Sequence, residues 1–367
     1  YRTRLMANEI EKVNTIAITD IEKVNGKTDD NIEKLNALEF AGVSIPGWAG
    51  TRAVLFGGRG TASGTDVSTD WILYKTIGSG SNTQEFGQMN THRDTAKGTG
   101  SNGTKAIMGG GYSDPGSGST TYGVNDMDHV TVASTNDAGD FGNLAEASGD
   151  GGYDGGSNGT LLFFHGGYTG SQSANMEQTN IASGSQGNDA GDLEAASNSH
   201  AVSNGDSKCL IMGGYVGSGT PLTTVSKHSF HTSNNATSYG GTSGGIYTAG
   251  TACATDRVVV AGGFVGSWSR VNEIRYFAVA SEGDSTDKGD LHDNIVKISG
   301  WSDGTTGEFG GGEEDSGYGV AQNRINKITI MSGTTVTDEA DLTHRDFVAS
   351  ANNDDGGAHS ISSTSGT

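Results

Sequence analysis

The apolar residues of this chain come in short unbroken runs that end in glycine pairs. Lys208-Cys209-Leu210-Ile211-Met212 runs into Gly213-Gly214-Tyr215, residues 53–56 into Gly57-Gly58, and residues 105–108 into Gly109-Gly110-Gly111-Tyr112. Residues 161–164 lead, after His165, to Gly166-Gly167-Tyr168, and residues 257–261 to Gly262-Gly263-Phe264; a weaker copy, Glu308-Phe309, leads to Gly310-Gly311-Gly312. Repeats spaced by about fifty residues mark a solenoid, a propeller or a linear array. The runs do not alternate with polar residues, so both faces of each strand should be covered by protein. The glycine pair supplies positive φ or lets a second backbone come close, because no Cβ is in the way. A four-stranded blade packed between two neighbouring blades asks for both.

After each glycine pair comes a Gly/Ser/Thr-rich loop and then a strand with period-two alternation, as in Trp71-Ile72-Leu73-Tyr74, His129-Val130-Thr131-Val132, residues 224–228, residues 273–279 and residues 326–330. Such a strand is half exposed. A shared turn follows: Asp137-Ala138-Gly139-Asp140-Phe141, Asp189-Ala190-Gly191-Asp192-Leu193, Asp287-Lys288-Gly289-Asp290-Leu291 and Asp338-Glu339-Ala340-Asp341-Leu342, with Glu85-Phe86 and Tyr239 as weaker copies. Its aspartates fall short of a calcium loop in spacing and ligand number. Asx-turn chemistry, a short carboxylate bonding backbone N–H groups two residues on, explains them more simply. The large apolar residue that ends the turn should plug the gap between blades.

A different repeat opens the chain. Ile10-Glu11-Lys12-Val13-Asn14, Ile21-Glu22-Lys23-Val24-Asn25-Gly26 and Ile32-Glu33-Lys34-Leu35-Asn36 recur every eleven residues. With Asp20 and Asn31 as N-caps and Gly26 as a C-terminal cap, each unit reads as one or two helical turns. Between them Ile16-Ala17-Ile18 and Leu38-Glu39-Phe40 read as short strands. The pairs Ile10/Val13, Ile21/Val24 and Ile32/Leu35 form apolar stripes that need a partner, either the propeller itself or another protein surface. Met6 resembles an ordinary initiator, so residues 1–5 are given no role.

Composition changes this picture little. The chain has 61 glycines in 367 residues and a net charge of −21, from 22 Lys plus Arg against 43 Asp plus Glu. Few apolar residues and a high charge lean towards disorder, but disorder has no reason to restore a buried-strand pattern at each repeat. The acidic balance opposes a general footprint on nucleic acid or anionic lipid. No stretch resembles a membrane span or a signal-peptide core. Cys209 and Cys253 lie in apolar runs and read as buried small hydrophobes rather than as a disulfide framework. The nine histidines are scattered, and only His228 and His231 are close in sequence, which alone builds no metal site. No Gly-x-Ser-x-Gly, HExxH or P-loop pattern occurs, so neither a catalytic residue nor a cofactor is expected.

The order of elements over residues 48–352 resembles the kelch repeat: a histidine-containing first strand, an apolar second strand ending in Gly-Gly, a polar loop, a third strand and a late aromatic. Residues 198–205, with His200, lead into the Cys209 strand, and Thr91-His92-Arg93 and Thr343-His344-Arg345 stand at matching places. The late tryptophan is replaced by Phe141, Leu193, Tyr239, Leu291 or Leu342. The eleven-residue units, over residues 10–42, resemble the starts of tail-fibre and other virion structural proteins of tailed phages, especially those of marine cyanobacteria. That resemblance implies assembly in the host cytoplasm and release in a virion without a signal peptide.

The expected fold is therefore all-β: a six-bladed kelch-like β-propeller over residues 47–352 after an N-terminal attachment or oligomerisation segment, residues 1–46, of helical turns and short strands. Residues 353–367 should be a flexible tail. Arg345-Asp346-Phe347-Val348-Ala349-Ser350 has no glycine-pair strand after it and should close the ring on the blade begun by residues 52–58. Tyr112, Tyr168, Tyr215 and Phe264 follow their glycines directly, so they should share one face, with Trp268 nearby, as candidate contacts for sugars or protein anchors. Ile10, Val13, Ile21, Val24, Ile32 and Leu35 are the candidate attachment residues, for other virion proteins or for copies of the chain. A host-surface glycan or protein is the expected partner of the propeller; nucleic acid and membrane insertion are not expected. A bacterial kelch-like interaction protein and a carbohydrate-active enzyme are the alternatives.

Overall fold

In the computed structural model the described residues are 51–342, apart from 63–64, 115–122, 150–154, 185, 205–207, 218–219, 230–232, 255 and 315–319, together with six two-residue strands before residue 40 and the strand His359–Ser363. The chain divides into two compact units, Tyr1–Ile45 and Pro46–Thr367.

The second unit is a six-bladed β-propeller of four-stranded antiparallel sheets arranged in a ring. The glycine-pair runs are the second strands: Arg52–Phe56, Lys105–Gly109, Leu161–His165, Lys208–Met212, Arg257–Ala261 and Thr306–Gly310 in blades 1 to 6. All but the first residue of each is buried, as an unbroken apolar run between two neighbours requires. Residues three and five of a second strand face the next blade and residues two and four the previous one. Ile107 of blade 2 accordingly packs with Leu162 and Phe164 of blade 3.

Both uses of the glycine pair are realised. Gly213 and Gly214 have φ of 65° and 111°, and the equivalent pairs in the other blades are also positive. A Cβ on Gly213 would lie 1.8 Å from the Ile246 carbonyl oxygen. The Gly214 N–H donates to that carbonyl at 2.8 Å, and in each of blades 1 to 5 the pair latches its blade in this way to the segment leading into the next.

The third strands, Trp71–Thr76, Asp126–Thr131, Asn175–Asn180, Thr224–Ser229, Glu273–Ala278 and Arg324–Thr329, pair with fourth strands Gln84–Gln88, Gly139–Asn143, Asn188–Asp192, Thr237–Gly241, Thr286–Asp290 and Thr337–Asp341. Every third–fourth pair is bulged at the same place, and the skipped residues are Phe86, Phe141, Ala190, Tyr239, Lys288 and Glu339. This register corrects the sequence alignment of the turn. Asp140-Phe141-Gly142, not Asp137-Ala138-Gly139, matches Asp189-Ala190-Gly191 and Asp287-Lys288-Gly289. Leu193, Leu291 and Leu342 therefore match Leu144, three residues beyond Phe141. The Asp140, Asp189 and Asp287 carboxylates each accept from the backbone N–H two residues on, at 2.7–2.9 Å, which is the expected Asx turn.

The first strands are Gly98–Ser101, Gly156–Ser157, Ala201–Asn204, Gly250–Ala254 and Ser299–Ser302 in blades 2 to 6; in blade 1 the place is taken by His359–Ser363, paired with Arg52–Phe56. These six strands neighbour one another in a closed circuit. The chain thus closes as expected, by its C-terminal end on the Arg52 strand, but with a different segment. The closing strand lies in the stretch expected to be a free tail, and residues 345–350 lie outside the described residues. Blade 2 gives the reason. Its Thr-His-Arg-Asp motif, residues 91–94, precedes the first strand rather than forming it, so the same motif at 343–346 announces a strand still to come.

The described residues of the eleven-residue units are paired strands where helical turns were expected. Lys12–Val13 pairs with Ile16–Ala17, Lys23–Val24 with Lys27–Thr28, and Lys34–Leu35 with Leu38–Glu39. Two residues join each pair, Asn14-Thr15, Asn25-Gly26 and Asn36-Ala37, and Asn-Gly is a strong short hairpin signal. Gly26, expected as a helix cap, lies outside the described residues. Val13, Val24 and Leu35 fall on strands, while Ile10, Ile21 and Ile32 lie outside the described residues.

Candidate functional site

The residue after each glycine pair occupies an equivalent place in blades 2 to 5, because each bridges to the segment leading into its own first strand: Asp94 to Tyr112, Gly149 to Tyr168, Asn198 to Tyr215 and Tyr247 to Phe264. Their surroundings differ. Tyr112 and Phe264 are 6% and 7% exposed and serve as packing, whereas Tyr168 and Tyr215 are half-buried. Tyr112 lies against Gly149, where a Cβ would meet its ring at 2.6 Å.

Blades 4 and 5 gather three of the five expected residues into one platform. Tyr247 and Phe264 stack with ring centroids 5.0 Å apart, Tyr215 lies 5.5 Å from Tyr247, and Trp268 is 5.5–5.7 Å from Tyr215, Tyr247 and Phe264. The Arg270 guanidinium sits over Phe264 at 5.3 Å. Tyr215, Phe264 and Trp268 are thereby brought together, and Tyr112 and Tyr168 are not part of this cluster. Tyr247 was not among the sequence candidates because it precedes a first strand instead of following a glycine pair. Its signal is the cross-strand partnership with Phe264.

Trp268 is the outward element. It is 44% exposed and ends the short 3₁₀ turn Gly266–Trp268 that joins Phe264–Val265 to Ser269–Arg270. Its φ is 59°, the left-handed place in a three-residue hairpin loop that ordinarily goes to glycine. A bulky residue there costs about 1–2 kcal/mol, and strain of this kind clusters at ligand clamps and switches. With Tyr247 and Phe264 buried beneath it, the indole sits over an apolar floor, suited to stacking on a sugar face or to anchoring an apolar side chain.

A polar cluster lies elsewhere, between blades 3 and 4. His165, Cys209 and His228 are fully or almost fully buried, and the Cys209 Sγ is 3.3 Å from His165 Nε2. Burial, then the neighbouring His228, His200 and Lys97, holds the His165 imidazole well below its ordinary value and therefore neutral. Burial pushes the Cys209 thiol up to about 12. Cys253 is a buried thiol beside Ser302, in keeping with the small-hydrophobe expectation. Cys209 is likewise a buried free thiol, and two of the nine histidines, His165 and His228, converge on it.

No protein-family profile matches the chain, and no curated protein matches it significantly. Among the described residues no helix is long and apolar enough to cross a membrane.

Proposed function

We propose that the chain is a non-enzymatic binding protein of a virion, a kelch-type propeller that offers the Tyr215–Trp268 platform to a host-surface glycan or protein while the N-terminal eleven-residue units attach it to the particle. The observation that carries the binding role is Trp268, a large exposed aromatic held in a strained backbone position over a buried aromatic floor. The acidic net charge of −21 argues for a neutral or cationic ligand surface rather than for nucleic acid. The attachment role rests on the resemblance of the eleven-residue units to the starts of tail-fibre proteins.

A glycan array probed with the full chain tests the binding role. Trp268→Ala should weaken retained ligands by about 30-fold or more, as expected for an aromatic hot spot of about 2 kcal/mol. Unchanged binding by that variant would remove the platform from the account. A chain beginning near Pro46 should still bind and should not enter particles; incorporation of the shortened chain would place attachment on the propeller.

A further inference from the structure

We propose that His165, Cys209 and His228 form a three-ligand site for a monovalent copper ion in the seam between blades 3 and 4. The strand pleat assembles it. His165 is the fifth residue of the blade 3 second strand and faces blade 4, Cys209 is the second residue of the next such strand and faces back, and His228 is the cross-strand partner of Cys209. The ligand atoms of the three lie within 4.8 Å of one another. A trigonal ion with metal–sulfur and metal–nitrogen bonds of about 2.3 and 2.0 Å needs donors about 3.5 Å apart, so a small closing movement suffices. The Cys209–His165 distance of 3.3 Å is already there.

The surroundings decide the kind of ion. The rings of His165 and His228 stand 5.8 Å apart and nearly perpendicular, and Phe163 covers His228 edge-on at 4.9 Å, so the site is dry. One thiolate with two imidazoles is a soft donor set with a charge of −1. Copper(I) makes it neutral. A zinc ion would leave an excess positive charge in a dry seam and would ask for a fourth ligand. The adjacent Lys97 does not supply a counter-charge, because its ammonium is buried on Glu177 at 2.6 Å with Glu146 at 3.7 Å. Coordination replaces the S–H bond of Cys209 with an S–Cu bond, and the proton leaves to solvent.

The test is to refold the full chain without oxygen in the presence of copper(I) held by a chromophoric chelator, since the site is closed in the folded state. The expected result is one ion taken from the chelator per chain, an X-ray absorption shell of one sulfur and two nitrogens, and a thermal midpoint several degrees higher. Cys253→Ser should behave as the parent, whereas Cys209→Ser and His228→Phe should lose uptake. Because those two variants can fail for reasons of packing, the absorption shell of the parent decides independently. A shell without sulfur, or no uptake on refolding, overturns the proposal. Zinc retained in preference to copper(I) on the same three ligands overturns the choice of ion.

Discussion

Blades 5 and 6 place different chemistry on the same backbone. In blade 5 the residue after the glycine pair is Phe264, bridged to Tyr247 and covered by the Trp268 turn. In blade 6 it is Glu313, paired in the same way with Val296, buried, and ion-paired with Arg270 and with Lys297 at 3.3 Å. The contrast extends to the seams. Blades 4 and 5 meet through Leu210, Met212, Val225, Val258, Val260 and Phe277, an apolar contact. Blades 6 and 1 also have an apolar contact, through Leu55, Leu73, Trp301 and Ile325, but they bury within it Lys75 and Glu308, 3.2 Å apart, with Gly78 N and Trp301 Nε1 donating to the same carboxylate at 2.6 and 2.5 Å. The repeat therefore fixes geometry and leaves chemistry free by sector. A wholly apolar seam supports the aromatic platform, and a seam with a buried ion pair joins the first and last blades.

That division can be broken most severely at the closing strand. Removing residues 343–367 strips a five-residue ladder from Arg52–Phe56, at about 1 kcal/mol per net hydrogen bond. A loss of about 5 kcal/mol should lower the thermal midpoint by about 10–20 °C; an unchanged melt would contradict ring closure. Next in size is Lys75→Met, which leaves the Glu308 carboxylate buried without its cation and should cost about 3–5 kcal/mol. Adding Glu308→Gln should restore part of that loss, because a neutral amide removes the unpaired charge while its oxygen still accepts from one of the two N–H donors. In the apolar seam, Leu210→Ala should cost about 3 kcal/mol through the cavity it leaves. The smallest effect is acid sensitivity of the charged seam. Burial alone would raise the Glu339 carboxyl, but Lys327, the Gly80 N–H at 2.7 Å and Lys75 hold it below its ordinary value. Its contribution is complete above the ordinary glutamate range and is lost as the pH falls through the lowered value. Glu339→Gln should therefore flatten the acid limb of stability against pH; an unaltered limb would remove this carboxylate from the seam's pH dependence.

The second strands and the six-bladed ring were legible because a strand covered on both faces must be continuously apolar and its glycine pair must adopt positive φ. The weak sixth copy was legible too, although its Glu308 resembles decay of the repeat until Lys75 is seen opposite. The first strands were obscure. They crowd the axis, where a Cβ on Gly100 would lie 2.1 Å from Leu162 Cδ1 and one on Gly300 2.1 Å from the Thr251 carbonyl, so they use small residues and lack an apolar pattern. The closing strand was misplaced for that reason. The bulge register was hidden because Asp-x-Gly occurs twice within residues 137–142, and only the ladder tells which copy is structural. Part of the candidate site was visible as aromatics after glycines. Tyr247 and the convergence of His165 with Cys209 and His228 depend on pairing between strands and blades, which residue spacing does not carry.

The most direct test of the account crosses the two sectors. Trp268→Ala and Lys75→Met would each be measured for thermal midpoint and for binding to the glycan-array ligands at a temperature where both are folded. The account predicts that Trp268→Ala binds about 30-fold or more weakly with its midpoint within a few degrees of the parent. Lys75→Met should melt about 6–20 °C lower and bind as the parent does. Trp268→Ala binding like the parent, or Lys75→Met losing binding while still folded, would contradict the separation of the recognition sector from the closure sector.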